Sequence, residues 1–348
     1  MFHRTRVLAL LCLAAPAVAS AQAQPIAFED ASAAIPFRSE SLQSGGTGVV
    51  GAVWLDYDGD GRDDLFLPNG AGRSNALYRN NGDGTYTNLG ADLGLDRLPW
   101  GWGNAMRDFD NDGHLDLFFA GALPNFFAPP TYYGAGGEAN YGVLWSNDGD
   151  GTWTDVSATL AHDFRHDFSS GVAAGDYDGD GYEDLAVMVT YLPPFSTSGQ
   201  PVLLRNRGGE NRWLKLRAAG TVSNRDGVGA RVTVRAGDLV QLQEIYAGSS
   251  LASQHSQTLT FGLGSRPQAT VDVLWPSGFR NRLYDVDAGT TIELPEIPCS
   301  FDAPAVAFPD YQQCVLGALD RLREAGIVAP EQTGRLLSSA LRAYHETH

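Results

Sequence analysis

The sequence predicts an all-β protein: a partial or small β-propeller, then a β-sandwich-like domain, closed by a short C-terminal helical hairpin. Three observations carry this reading. An aspartate-rich stretch occurs three times, as "DYDGDGRDDL" from Asp56, "DFDNDGHLDL" from Asp108 and "DYDGDGYEDL" from Asp176. A second shared element trails each copy, as "LYRNNGDGTYTNLG" from Leu77, "LWSNDGDGTWTDVS" from Leu144 and, in degenerate form, "LLRNRGGENRWLKL" from Leu203. From Asn211 the acidic stretches stop, and seven short strand-like runs separated by glycine-rich turns follow. Self-similarity on this scale marks one supersecondary unit per copy.

The chain opens with a basic "MFHRTR", an apolar "VLALLCLAAPAVA" too short to span a bilayer, and "ASAQAQ" with small-x-small cleavage sites. This reads as a secretory signal peptide over residues 1–23, cut after Ala21 or Ala23. The expected product is secreted or periplasmic, with no membrane anchor, since no later run is long and apolar enough for a spanning helix. Losing Arg4 and Arg6 with the leader moves the formal charge from −17 to about −19. That sign argues against nucleic acid and against anionic membrane as partners.

Residues 24–210 form the repeat region. Each acidic stretch is preceded five residues earlier by glycine, at Gly51, Gly103 and Gly171. Runs such as "GAVWLD" and "DLFLPNG" alternate with period two and read as strands flanking an acidic loop. "ALYRN" and "TYTNL" read as a hairpin joined across an Asn-Gly or Asp-Gly turn. Four short strands in about fifty residues is the content of a propeller blade. Three such blades are visible, and three do not close a ring.

Two insertions account for the uneven spacing: "GALPNFFAPPTYYGAGGEANYG" in the second repeat and "TYLPPFSTSGQP" in the third. Both follow the second strand of a blade and are expected to emerge on one face. Phe126, Phe127, Tyr132 and Tyr133 make the longer one either a contact surface for a ligand or partner or packing over an unfinished propeller.

Residues 211–296 hold the seven strand-like runs, which point to an antiparallel sandwich or small barrel. Residues 297–348 turn helical. "DYQQCVLGALDRLREAG" has Asp310 as a candidate N-cap and Gly326 as a stop, and Pro330 suits the first position of a second helix. Such a hairpin can cover an exposed sheet edge. Cys299 and Cys314 remain after the leader is removed. In an oxidising compartment they suit a disulfide worth about 3 kcal/mol on chain-entropy grounds; the alternative is two buried thiols.

The acidic stretches have the chemistry of a hard-cation site. Counting from the first aspartate, carboxylates fall at positions 1, 3, 5 and 9: Asp56, Asp58, Asp60 and Asp64; Asp108, Asp110, Asp112 and Asp116; Asp176, Asp178, Asp180 and Asp184. Gly61, Gly113 and Gly181 at position 6 allow the sharp turn. The carbonyls of Arg62, His114 and Tyr182 at position 7 are candidate fifth ligands. Calcium takes six to eight oxygen ligands in a forgiving geometry. Position 12 holds Leu67, Phe119 and Val187 in place of the bidentate glutamate of an EF-hand, so these are β-loop sites. Two carboxylates about 5 Å apart repel by roughly 3 kcal/mol at an effective dielectric near 20, and a bound cation removes that repulsion. About three Ca²⁺ ions would bring the charge from about −19 to about −13.

These loops resemble the calcium loops of FG-GAP (VCBS-type) repeats, the blades of integrin-α-like propellers. Residues 211–296 are similar to the ASPIC/UnbV domain, through "NRWLKLR", "SNRDGVGARVTV", "SLASQHSQTLTFGLG" and "LWPSG". Together they resemble the cartilage acidic protein 1-like family, whose members generally carry more repeats. The resemblance implies an exported, calcium-binding module of binding or adhesion, with a protein or carbohydrate as ligand and an oligomer as one way of completing the propeller. An enzyme of a biosynthetic pathway, using either region as active-site scaffold, is the alternative.

Two polar clusters stand outside this scheme. His162 and His166, with Asp163 and Asp167, suit zinc or copper if helical, and otherwise an inter-blade loop. Ser223, Asn224, Arg225 and Asp226 form either a sugar-binding or acid-base cluster or a turn set by Asp226-Gly227.

Overall fold

The first two repeated units fold as antiparallel four-strand meanders and the third as a three-strand one, each with the acidic loop between its first two strands. The computed structural model describes residues 53–55, 57–58, 60, 62–67, 76–95, 101–121, 142–164, 167, 169–190 and 199–348. The leader, the aromatic insertion and most of the second insertion lie outside them. Blade 1 is β1 (Val53–Leu55), β2 (Asp64–Leu67), β3 (Ala76–Asn80) and β4 (Tyr86–Asn88), paired in that order. Blade 2 is β5 (Gly101–Arg107), β6 (Asp116–Gly121), β7 (Val143–Asn147) and β8 (Trp153–Asp155). The β3–β4 connection is a five-residue loop, closed by the Asn81 amide on the Thr85 carbonyl at 3.0 Å. Asp83 at its tip accepts from the Thr85 amide and hydroxyl, which hold its carboxyl below the usual range.

The blades stack through β6, which is buried along its whole length. Side chains alternate across a strand, so the adjacent Phe118 and Phe119 point opposite ways. Phe119 joins Phe66, Leu77, Leu117 and Trp145 between blades 1 and 2, while Phe118 joins Phe109, Phe164, Val172 and Val187 between blades 2 and 3. Each fully buried phenylalanine contributes about 1.5–3 kcal/mol relative to exposure. An uninterrupted apolar run is what a strand covered on both faces requires.

Blade 3 has three strands: β9 (Ser169–Gly175), β10 (Asp184–Val189) and β11 (Val202–Leu204). The degenerate third trailing element has a structural cause. Where β4 and β8 complete their blades, the corresponding chain becomes β12 (Arg212–Ala219) and leaves β11 for the next sheet.

That sheet pairs β12 with β15 (Leu259–Gly264) and β18 (Thr290–Pro295). The second sheet has the order β14 (Leu239–Glu244), β13 (Arg231–Ala236), β16 (Gln268–Leu274) and β17 (Arg280–Asp287). Leu214, Leu216, Val232, Val234, Phe261, Val271 and Val273 fill the core of this sandwich. The expected seven strands are present, but the expectation of a purely antiparallel domain is corrected. β12 and β18 run parallel, because the chain crosses to the other sheet after β17 instead of closing a hairpin on it.

Helices α1 (Phe308–Glu324) and α2 (Pro330–Thr347) follow. Pro330 opens α2 as expected, and Gly326 ends the α1 turn at φ 71°. Asp310 is not the N-cap. Ala307 is, and Asp310 lies in the first turn, where its charge opposes the positive end of the helix dipole. α2 packs against β17, the edge strand of the four-stranded sheet. Cys299 and Cys314 form a disulfide that ties α1 to the end of the sandwich. All described residues fall in one compact unit, Phe37–His348.

Candidate metal centre

In each repeat the aspartate at position 9 starts the second strand and is held by main-chain amides on both oxygens. Asp64 accepts from Tyr57 at 3.1 Å and Asn80 at 2.7 Å; Asp116 from Phe109 at 2.8 Å and Asn147 at 2.9 Å; Asp184 from Tyr177 at 2.9 Å and Asn206 at 2.7 Å. The position-5 aspartates Asp60, Asp112 and Asp180 accept the position-7 amides of Arg62, His114 and Tyr182. In loops 2 and 3 these bonds wind the loop so that its first, third and ninth carboxylates converge.

One carboxylate oxygen from each of Asp108, Asp110 and Asp116, and likewise from Asp176, Asp178 and Asp184, lies within 4.8 Å of the others. Position 5 is not part of either triad. In loop 1 the structure describes Asp58, Asp60, Arg62 and Asp64; Asp56 and Gly61 lie outside the described residues.

The loops differ in what neutralises them. In loop 2, Asp108 and Asp116 are only 3 % and 2 % exposed. Among the described residues no lysine or arginine bridges to Asp108, Asp110, Asp112 or Asp116. Burial, reinforced by Asp116, Asp112 and Asp110, pushes the Asp108 carboxyl well above its ordinary value. Burial pushes Asp116 up to about 8, against the amide of Asn147 and with the charge of Asp110. An all-oxygen donor set in which two of three carboxylates are buried, with no cation against it among the described residues, suits a hard divalent cation. Asp108, Asp110 and Asp116 are the residues that would hold it.

Loop 3 has side-chain cations in place. The Lys215 ammonium contacts Asp176, and Arg205 meets Asp178 at 2.5 Å and Asp180 at 3.5 Å. In loop 1, Arg62 pairs with Asp60, and burial raises Asp64 to about 6.

Loops 2 and 3 also form the seat of the sandwich. A Cβ on Gly262 of β15 would lie 2.0 Å from the Asp108 carboxylate, and one on Gly181 would enter the Trp213 indole. The Gly264 amide donates to the Asn111 carbonyl at 2.9 Å, and Asn211 donates to the Asp110 carbonyl at 2.9 Å. The Asn111 amide group reaches the Gly181 carbonyl at 3.1 Å, joining the two loops.

Asn80, Asn147 and Asn206 were not singled out above, although they recur in the three trailing elements. Each donates its main-chain amide to position 9, while its side chain caps the adjoining turns. His162 hydrogen-bonds Asp167 at 2.6 Å, and His166 lies outside the described residues. The Ser223–Asp226 segment is a turn wrapped around the buried Glu296 carboxylate.

A proton linkage follows for loop 2. With Asp116 at about 8, the ion-free site holds a proton at pH 7 that a divalent cation must displace. The affinity of any divalent cation held there is therefore expected to rise with pH, its binding releasing at least one proton at pH 7. Calorimetry in buffers of different ionisation enthalpy checks this, and buffer-independent heats would contradict it. The ion-free protein should correspondingly lose stability as pH rises from the ordinary aspartate range to about 8, and level off above it.

Stacked antiparallel blades with an acidic loop between first and second strands, docked on a β-sandwich, define a blade-repeat protein with an appended domain. Residues 56–119 and 132–187 match the FG-GAP-like repeat model, and residues 220–299 match the ASPIC and UnbV model. The chain is thus an FG-GAP-like repeat protein with an ASPIC and UnbV domain. It is similar to cartilage acidic protein 1 of Homo sapiens, 26 % identical over 290 residues, covering 68 % of this chain and 42 % of the relative. The Mus musculus protein of the same name is 25 % identical over 266 residues, covering 62 % and 40 %. The chain spans about two fifths of the length of these relatives. A solved Bacteroides ovatus structure covers 67 % of this chain and 76 % of its own at 11 % identity, with a TM-score of 0.16, which carries no argument.

Proposed function

We propose that this protein is an exported, calcium-stabilised module of binding or adhesion, in which bound ions rigidify blade loops that carry a protein- or carbohydrate-recognising surface. The second acidic loop carries the reading. Its buried carboxylates have no cationic partner among the described residues, and the loop lies at the seam of blade 2, blade 3 and the sandwich. The similarity to cartilage acidic protein 1 and the Cys299–Cys314 disulfide support an extracytoplasmic setting. No described helix is long and apolar enough to cross a membrane. Of the residues that the enzyme alternative would use, Arg225 lies in a turn closed by the Gly220 amide on its carbonyl, His162 pairs with Asp167, and His166 lies outside the described residues.

Chelation tests the proposal. One site at a hundredfold excess of calcium over its dissociation constant stabilises the fold by about 2.7 kcal/mol. For a unit as long as Phe37–His348, EDTA should then lower Tm by roughly 4 °C. An unchanged melt, with no calcium found by elemental analysis of the gel-filtered protein, would sink it.

A further inference from the structure

The sequence gives the three acidic loops the same register, yet the third is electrostatically unlike the second. Lys215 lies on β12, the strand diverted from blade 3 into the sandwich. Leu214 and Leu216 belong to the sandwich core, and the alternate residues Trp213 and Lys215 face loop 3. The Trp213 indole lies against Gly181, and the Lys215 ammonium contacts the position-1 carboxylate of Asp176, with Lys215 only 7 % exposed. Arg205, at the end of β11, adds its guanidinium to Asp178 and Asp180. Three of the four loop aspartates thus meet a side-chain cation. At the place of Arg205, the second repeat has Ser146 in "LWSN".

We propose that the third loop carries its own tethered cation: Lys215, assisted by Arg205, occupies the carboxylates that in the second loop are left for a divalent ion. Two basic side chains beside this triad fill the space around its carboxylates and oppose the approach of a further cation. Lys215 belongs to the sandwich and Asp176 to blade 3, so the contact is a metal-independent strut between the two. The loops then divide the work: loop 2 is the ion site, and loop 3 is an internal ion pair that persists under chelation. This rests on the reading that loop 2 binds a divalent cation, and the experiment separates the two.

The test counts calcium per folded chain at pH 7.5 by equilibrium dialysis and elemental analysis. The wild type is compared with Asp108→Asn, Asp176→Asn, Lys215→Met and the double variant Lys215→Met, Arg205→Gln. Methionine keeps an unbranched stem beside Trp213. Asp108→Asn should lose one ion and Asp176→Asn none, while the double variant should bind one ion more than wild type. Loss of an ion in Asp176→Asn, or a double variant that binds no more than wild type, overturns the proposal. If the double variant does not fold, the Asp176→Asn count decides. A wild type without calcium would refute the loop 2 reading alone, and a double variant that then gained an ion would still support the tethered cation.

Discussion

Replacing Glu296 with alanine is expected to destabilise the protein by about 1–3 kcal/mol, the range for leaving hydrogen-bond donors without their acceptor. Glu296 is fully buried at the end of the sandwich. One of its oxygens accepts the amides of Thr221 at 2.8 Å, Val222 at 2.7 Å and Ser223 at 2.7 Å. The other accepts the hydroxyls of Ser223 and Ser277. Burial alone would raise this carboxyl; the Ser277 hydroxyl and the three amides outweigh it and hold it below the usual range. Alanine leaves three amides and two hydroxyls without their acceptor. Glutamine keeps one acceptor oxygen for the amides and should cost about half as much. Because the folded value is depressed, the stabilisation is present above the ordinary glutamate pKa and is lost as pH falls below it. Urea denaturation checks both variants, and a loss under 1 kcal/mol for alanine would show that the turn holds without its anion.

Acid should loosen the junction between blades and sandwich through His255. Its Nδ1 accepts the Ala174 amide of β9 at 3.0 Å, and its ring also hydrogen-bonds the main chain of Asn104 in β5. The flanking segment adds Ser250 to the Asn104 amide and the Ser256 amide to the Ala174 carbonyl. Burial, and then the Arg107 charge, push the imidazole down to about 3. The unfolded chain takes up a proton near pH 6.5 that the native ring refuses. Stability from this group is therefore complete above pH 6.5 and falls by about 1.4 kcal/mol per pH unit below it, until the folded value near 3 is reached. Between pH 6.5 and 5, in saturating calcium, about 2 kcal/mol should be lost, and His255→Gln should remove that slope. Equal slopes for wild type and variant would dismiss His255 as the acid-sensitive group.

The blades were legible because their signals are local. Strand alternation on either side of each acidic loop, the glycine five residues before it and the trailing hairpin all lie within one repeat, and the strands form as expected. The ladder of aspartates likewise places positions 1, 3 and 9 together, because main-chain amides wind the loop around side chains only a few residues away. Position 5 did not join the triad, since its carboxylate is turned to the position-7 amide.

What escaped the sequence lies far apart along it. Lys215 meets Asp176 across 39 residues, Glu296 meets Thr221 across 75, and His255 meets Ala174 across 81. Nothing near Lys215 distinguishes it from any charged residue on a strand until β12 is seen to leave blade 3. By itself the sequence determined the repeated unit, the number of sandwich strands, the paired helices and which loops concentrate negative charge. Only the tertiary structure decided how that charge is met, because compensation depends on which side chains the packed sheets carry to each loop, and strand exchange between blade and sandwich is a long-range choice that no local pattern encodes.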